Sequence, residues 1–181
     1  MKTPQCIAAI AASAAFITSS AFAAPIVYNV NLNGQNEIIG GAASGDLNGF
    51  ATGTITLDAG AGGNTATASW NFTLGNLANP PVTDFHIHTG TATQQGSVLI
   101  PFGVNVPGGD VLTATQFTGS RTGLNSANMA TVIANPAGFY LNLHNGEFPG
   151  GAVRGQVPEP SVFVLTIGGL LGLASRRRRL A

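Results

Sequence analysis

Ten residues, TATASWNFTL at 65–74, alternate without an exception. Ala66, Ala68, Trp70, Phe72 and Leu74 fall on one side, and Thr65, Thr67, Ser69, Asn71 and Thr73 on the other. A period of two is that of a strand with one face in a core; a helix does not produce it. Seven further segments read as strands: 26–33 (IVYNVNLN), 49–58, 82–89 (VTDFHIHT), 96–103, 111–119, 138–145 (GFYLNLHN) and 152–157. Turn signals separate them, among them DAGAGGN, NPP, VPGGD, NPAG and NGEFPGG. Only LNSANMATVIAN at 124–135 has a helical pattern, and 32–49 reads as a long Gly-rich loop. Eight short strands at this spacing predict an all-β fold, an antiparallel Greek-key-like sandwich with one short helix.

Both ends depart from the pattern. The first 23 residues carry Lys2, an apolar run from Ile7 to Ile17, and small residues at Ala21–Ala23. Those are the parts of a secretory signal helix, cleaved after Ala23 or Ala24. The one cysteine, Cys6, lies inside it, so residues 24–157 offer no thiol, disulfide or Cys-based metal site. At the other end, residues 161–174 are uncharged and mostly apolar, and Arg176, Arg177, Arg178 and Arg179 come after them. Fourteen helical residues span only about 21 Å. Four consecutive cations nonetheless mark the segment as a transmembrane helix with a stop-transfer flank.

Pro158-Glu159-Pro160, the Gly- and Leu-rich apolar segment and the terminal arginine cluster, in that order, resemble the PEP-CTERM sorting signal of Gram-negative bacteria. The resemblance implies export, transient anchoring in the inner membrane, removal of the tail by an exosortase after signal peptidase has acted at the front, and delivery to the cell surface or extracellular matrix. The chain thus divides into three segments: signal peptide 1–23, β domain 24–157 and sorting signal 158–181.

Charge changes the picture only for the middle segment. The chain is neutral overall, with 8% charged residues. Residues 24–157 hold six carboxylates (Glu37, Asp46, Asp58, Asp84, Asp110, Glu147) and two arginines (Arg121, Arg154), four negative charges in excess. That balance argues against a nucleic-acid partner. Arg154 is expected to form an ion pair with Glu37, Asp84 or Glu147, or alternatively to capture an anion.

The chain has three histidines. Alternation within 82–89 puts Phe85 and Ile87 on the core side and Asp84, His86 and His88 on the other, facing outward or under a covering loop. Within 138–145, Leu141 and Leu143 face the core, and Tyr140, Asn142 and His144 face outward. If these strands are near neighbours, three imidazoles converge. That donor set suits Zn or Cu, with a fourth ligand from water, Glu37, Asp84 or Glu147. The plainer alternative is that each histidine bonds a carbonyl or a loop. No carboxylate pair, Ser-His-Asp set or phosphate-binding loop is visible, so no catalytic residue is assigned.

LNGQNE, FHIHTG and YLNLHNGEFPGGAVRGQV together resemble the CHRD domain, named from chordin and widespread in bacterial exported proteins. The resemblance covers nearly all of 24–157. His86, His88, Gly90, His144, Gly150, Gly151, Arg154 and Gly155 stand at the family's marked positions, and Glu37 closes its early segment. Ile38-Ile39 stands after Glu37 where the family usually has Pro. The resemblance implies an immunoglobulin- or Cu,Zn superoxide dismutase-like sandwich with no established biochemical activity. FHIHTG is also similar to the copper-binding strand of Cu,Zn superoxide dismutase, but one further histidine and no bridging loop leave that ligand set incomplete. The expectation is an exported, non-enzymatic β module with a structural, adhesion or matrix role and an extracellular polysaccharide or matrix partner. Sugar stacking would fall to Tyr28, Tyr140 and Phe148. The alternative is a metal-binding protein or metalloenzyme using His86, His88 and His144.

Overall fold

The computed structural model describes residues 24–60, 65–78 and 81–159. The signal segment, Pro160, the apolar stretch 161–174 and Arg176–Arg179 lie outside the described residues. No helix among the described residues is long and apolar enough to cross a membrane.

The elements run β1 (Ile26–Asn33), β2 (Ile38–Ile39), β3 (Ala42–Ala43), β4 (Phe50–Asp58), β5 (Ala66–Gly75), β6 (Asp84–Thr89), β7 (Val98–Pro101), β8 (Val111–Leu112), β9 (Gln116–Leu124), α1 (Ser126–Ala134), β10 (Phe139–His144) and β11 (Val153–Gln156). Nine of the strands form one antiparallel sheet in the order β7-β6-β10-β11-β1-β4-β5-β9-β8. The last strand, β11, therefore sits in the sheet's middle. β2 and β3 make a separate hairpin, inside the stretch expected to be loop. The strand expected over 111–119 is broken into β8 and β9, with Thr113 N–H donating to the Gln116 carbonyl at 2.8 Å across the turn.

The sheet curls until its halves face each other. Trp70 and Phe72 on β5 meet Phe85 on β6 at ring-centroid distances of 5.2 and 5.6 Å, and Phe102 beyond β7 lies 5.5 Å from Trp70. Phe117 on β9 closes the group, 5.4 Å from Trp70. These rings, with Leu32, Ile55, Ile87, Leu141 and Leu143, are the core. Burial along β5 alternates as its sequence predicts. The helix starts two residues later than its pattern suggests, because the Asn125 side chain accepts from Asn128 N–H and caps it there.

One ion pair ties the β7 end to β9. Arg121 grips Asp110 with both Nη atoms at 2.7 Å, and its Nε donates to the Phe102 carbonyl at 2.7 Å. Its guanidinium also lies over Trp70, 5.1 Å from the ring centre. The Arg121 bond, aided by the Asn105 amide and opposed by burial, holds the Asp110 carboxyl below its ordinary 3.8. A depressed carboxyl pKa adds stability that is complete above the unfolded value and is lost as pH falls through the folded one. Asp110→Asn should therefore cost about 3 kcal/mol at neutral pH. The difference from wild type should shrink once pH drops below 3.8, as read by denaturant unfolding over a pH series.

Candidate metal centre

β6 pairs β10 in register, with His86 opposite Asn142, His88 opposite Tyr140 and Asp84 opposite His144. β11 continues the row, with Arg154 opposite Asn142 and Gln156 opposite Tyr140. The side of the sheet away from the core thus carries a block of polar and aromatic residues. Strand alternation predicts that block, and it places the three histidines together as anticipated.

Much of the block is shielded from water, although His88, His144 and Gln156 are half-buried and the Asp84 side chain is 50% exposed. His86 is 6% exposed, and Tyr140, Asn142 and Arg154 are 1–2% exposed. Two segments contribute to this burial. Residues 34–46 fold back over β11, where Asp46 N–H donates to the Ala152 carbonyl at 2.8 Å and the Asn36 amide to the Arg154 carbonyl at 3.2 Å. Residues 90–97 are held down over the other end. The outward placement of Tyr140 and Asn142 is therefore corrected: they point away from the core into a second, polar interior. Tyr28 is buried as well, so neither tyrosine is available to stack on a sugar.

Arg154 departs furthest from expectation. It forms no side-chain pair with Glu37, Asp84 or Glu147, and at 1% exposure it meets no dissolved anion. Its Nη2 donates to the Thr91 and Gln94 carbonyls at 2.5 and 2.6 Å. The guanidinium lies 3.4 Å from the centre of the Tyr140 ring, and Tyr140 stacks on His88 at 4.8 Å and 7°. Gln156 adds a bond to the Gly90 carbonyl, and the Gly96 amide donates to the Tyr140 hydroxyl. Gly90, at φ +134, leaves no room for a Cβ, which would stand 2.7 Å from the Gln94 carbonyl oxygen and 3.0 Å from Tyr140. Gly151, at φ +136, makes the turn before β11 and leaves space for the Glu37 carboxyl. A Cβ at Gly155 would strike the Asn31 carbonyl, and one at Gly150 would crowd Ile39.

The imidazoles pack edge to face, His86 lying 4.7 Å from His88 and 4.4 Å from His144 between ring centres. One nitrogen of each lies within 4.8 Å of the other two. Their outer nitrogens are engaged. His88 Nδ1 bonds the Gly96 carbonyl and His144 Nδ1 the Pro149 carbonyl, both at 2.8 Å. A carbonyl only accepts, so both Nδ1 atoms carry hydrogen, and in the neutral rings both Nε2 atoms are lone pairs. His86 Nε2 faces Asp84 Oδ2 at 3.3 Å. His88 Nε2 accepts a hydrogen bond from His86 Nδ1 at 2.8 Å, so a metal on His86 Nδ1 displaces that proton to Nε2, beside Asp84, and His144 Nε2 is buried with no partner. An outer hydrogen bond that fixes the tautomer and turns the free nitrogen inward is the usual support of a metal-binding histidine.

Electrostatics keep His86 and His88 neutral. Burial first, then the neighbouring His144, lowers the His86 pKa from 6.5 to about 4, against the pull of Asp84. Burial lowers His88 too, against the Gly96 carbonyl. Zn–N bonds of about 2.0–2.1 Å place tetrahedral nitrogen ligands about 3.3 Å apart. The closest pair here, at 2.8 Å, needs to part by about half an ångström for that geometry. Of the fourth ligands considered, Asp84 supports His86 from outside, and Glu147 is exposed on an open groove with Asp46 and Asn76. Glu37 is buried under Gly151 with Oε2 unpartnered, and burial raises its pKa.

The family model of the CHRD domain matches residues 28–157. The chain belongs to the CHRD domain family. No curated protein and no solved structure gives a significant match. Within this CHRD domain strand alternation brought out the histidines, and the family resemblance marked Gly90. The Gly96 and Pro149 carbonyls were beyond its reach, because any residue supplies a carbonyl and only the fold chooses which.

Arg154→Lys keeps the charge and loses the planar fork. It should lower stability by about 2–3 kcal/mol and speed amide hydrogen exchange across 90–97 more than in β4 or β5.

Proposed function

We propose that this chain is an exported surface protein whose β domain binds a transition metal, Zn or Cu, through His86, His88 and His144. The observation that carries it is the inward convergence of three imidazole nitrogens whose partner nitrogens face Gly96, Pro149 and Asp84. Three nitrogen donors without a thiolate suit those two ions. No catalytic residue is assigned, and the role is a binding or structural one. An extracellular polysaccharide or matrix partner, approached through residues other than Tyr28 and Tyr140, is part of the same reading. So is a fold of the immunoglobulin or superoxide dismutase type, which the single curled sheet with interleaved aromatic rings supports.

The placement outside the cell is supported by the chain's ends. Lys2 with the apolar run up to Ile17 supports signal-peptidase processing. Pro158-Glu159-Pro160 with the apolar segment and Arg176–Arg179 supports exosortase sorting through the inner membrane.

Purified full-length protein loaded with Zn²⁺ or Cu²⁺ should retain one ion per chain by elemental analysis, and His86→Ala should retain none. At free metal a hundredfold above Kd, the wild type should gain about 2.7 kcal/mol of stability. Absence of stoichiometric Zn and Cu after loading would refute the metal assignment. Removing Arg176–Arg179, or separately Pro158–Pro160, should stop surface delivery; unchanged delivery in both would refute the sorting assignment.

A further inference from the structure

Three imidazoles leave a four-coordinate ion one ligand short, and the floor of the histidine cluster holds a group suited to that place. Asn142 stands opposite His86 on the neighbouring strand. Tyr140 and His144, two residues to either side, share its face of β10. The rings of His86, His88, His144 and Tyr140 thus surround a short side chain that is 1% exposed. Its Oδ1 is buried and has no partner, and His144 Nε2, from the same face of the strand, has none either. A buried amide oxygen is almost always bonded, and one ion in the cluster would serve both atoms.

The amide's other end lies against the Glu37 carboxyl, whose pKa burial raises and this contact lowers. Gly151 makes the contact possible, since a Cβ there would stand 2.6 Å from the Glu37 carboxyl and 2.8 Å from Asn142 Nδ2. An amide carries its oxygen and nitrogen in diverging directions. The reversed amide would set its oxygen against a carboxylate, an acceptor against an acceptor. Holding Nδ2 on the Glu37 side therefore turns Oδ1 toward the other side, where the imidazoles lie.

We propose that Asn142 Oδ1 is the fourth donor of the metal site and that Glu37 is its positioning residue. This rests on the assignment of the site to a metal. The ligand set is then three neutral imidazoles and one neutral amide. The ion's charge is balanced one contact further out, by Asp84 behind His86 and by Glu37 behind Asn142. Arg154 lies beside Glu37, and its guanidinium is turned to Tyr140 and the 90–97 carbonyls. Outer carboxylates of this kind orient a ligand and raise its donor strength.

The test is metal affinity and the Co²⁺ absorption spectrum of the full-length protein, for wild type, Asn142→Ala, Asn142→Asp and Glu37→Ala. Asn142→Ala should bind one ion with affinity reduced about 10- to 100-fold, and Glu37→Ala should weaken binding less. Asn142→Asp, nearly identical in shape, should keep an oxygen on the ion and shift the Co²⁺ bands, because a carboxylate replaces an amide there. If Asn142→Ala does not fold by circular dichroism, the Asp variant decides alone through its spectrum. Wild-type affinity in Asn142→Ala, or an unshifted Co²⁺ spectrum in folded Asn142→Asp, overturns the proposal while the three-histidine assignment stands. Failure of wild type to bind Zn²⁺ or Co²⁺ removes both.

Discussion

The register of β6 against β10 sets two interiors at once. Pairing Phe85 with Leu143 and Ile87 with Leu141 fills the apolar core. The same pairing has to bring His86, Asn142, His88, Tyr140 and His144 together on the reverse side. A slip of one residue would put imidazoles against Trp70 and leave Phe85 among backbone carbonyls, so the hydrophobic drive toward the core also holds the polar cluster in place. Burial of aromatic area stabilises a geometry that the polar groups alone would not select.

The two sides of the sheet are therefore unequal. The side holding Trp70, Phe72, Phe85, Phe102 and Phe117 is tightly interleaved and apolar. The other is closed by two chain segments that bring almost no apolar surface and depend on bonds to carbonyls. Arg154 is central there because a flat guanidinium can stack on Tyr140 and donate to two carbonyls in one plane. Through Tyr140 and Gly96 it also steadies the outer contact of His88.

Much of this was readable in the chain. The alternation of residues 65–74 gave β5 its faces, and the same arithmetic on FHIHTG and FYLNLH collected the histidines. What alternation could not show is whether the face opposite the core meets water. A polar residue on that face looks the same whether it is solvated or roofed over, and the roof comes from 34–46 and 90–97, segments rich in Gly and Thr with no periodic signal. Arg154 was expected to seek a carboxylate by charge. The fold instead put carbonyls and a phenol ring nearer, so Nη2 takes two carbonyls while Nη1 is left without a partner. The β2–β3 hairpin has two-residue strands, too short for a period to register.

The position of β11 bears on how such a sheet forms. It is the last strand in the sequence, yet it lies between β10 and β1, bridging the earliest part of the domain to the latest. Until residues 153–156 arrive, β1 lacks one neighbour, the 90–97 segment lacks Arg154, and the histidine pocket lacks its clamp. Contacts of such large sequence separation form slowly. The domain thus reaches its closed state as a nearly complete chain rather than strand by strand, and the histidine pocket is finished only after the whole domain has emerged.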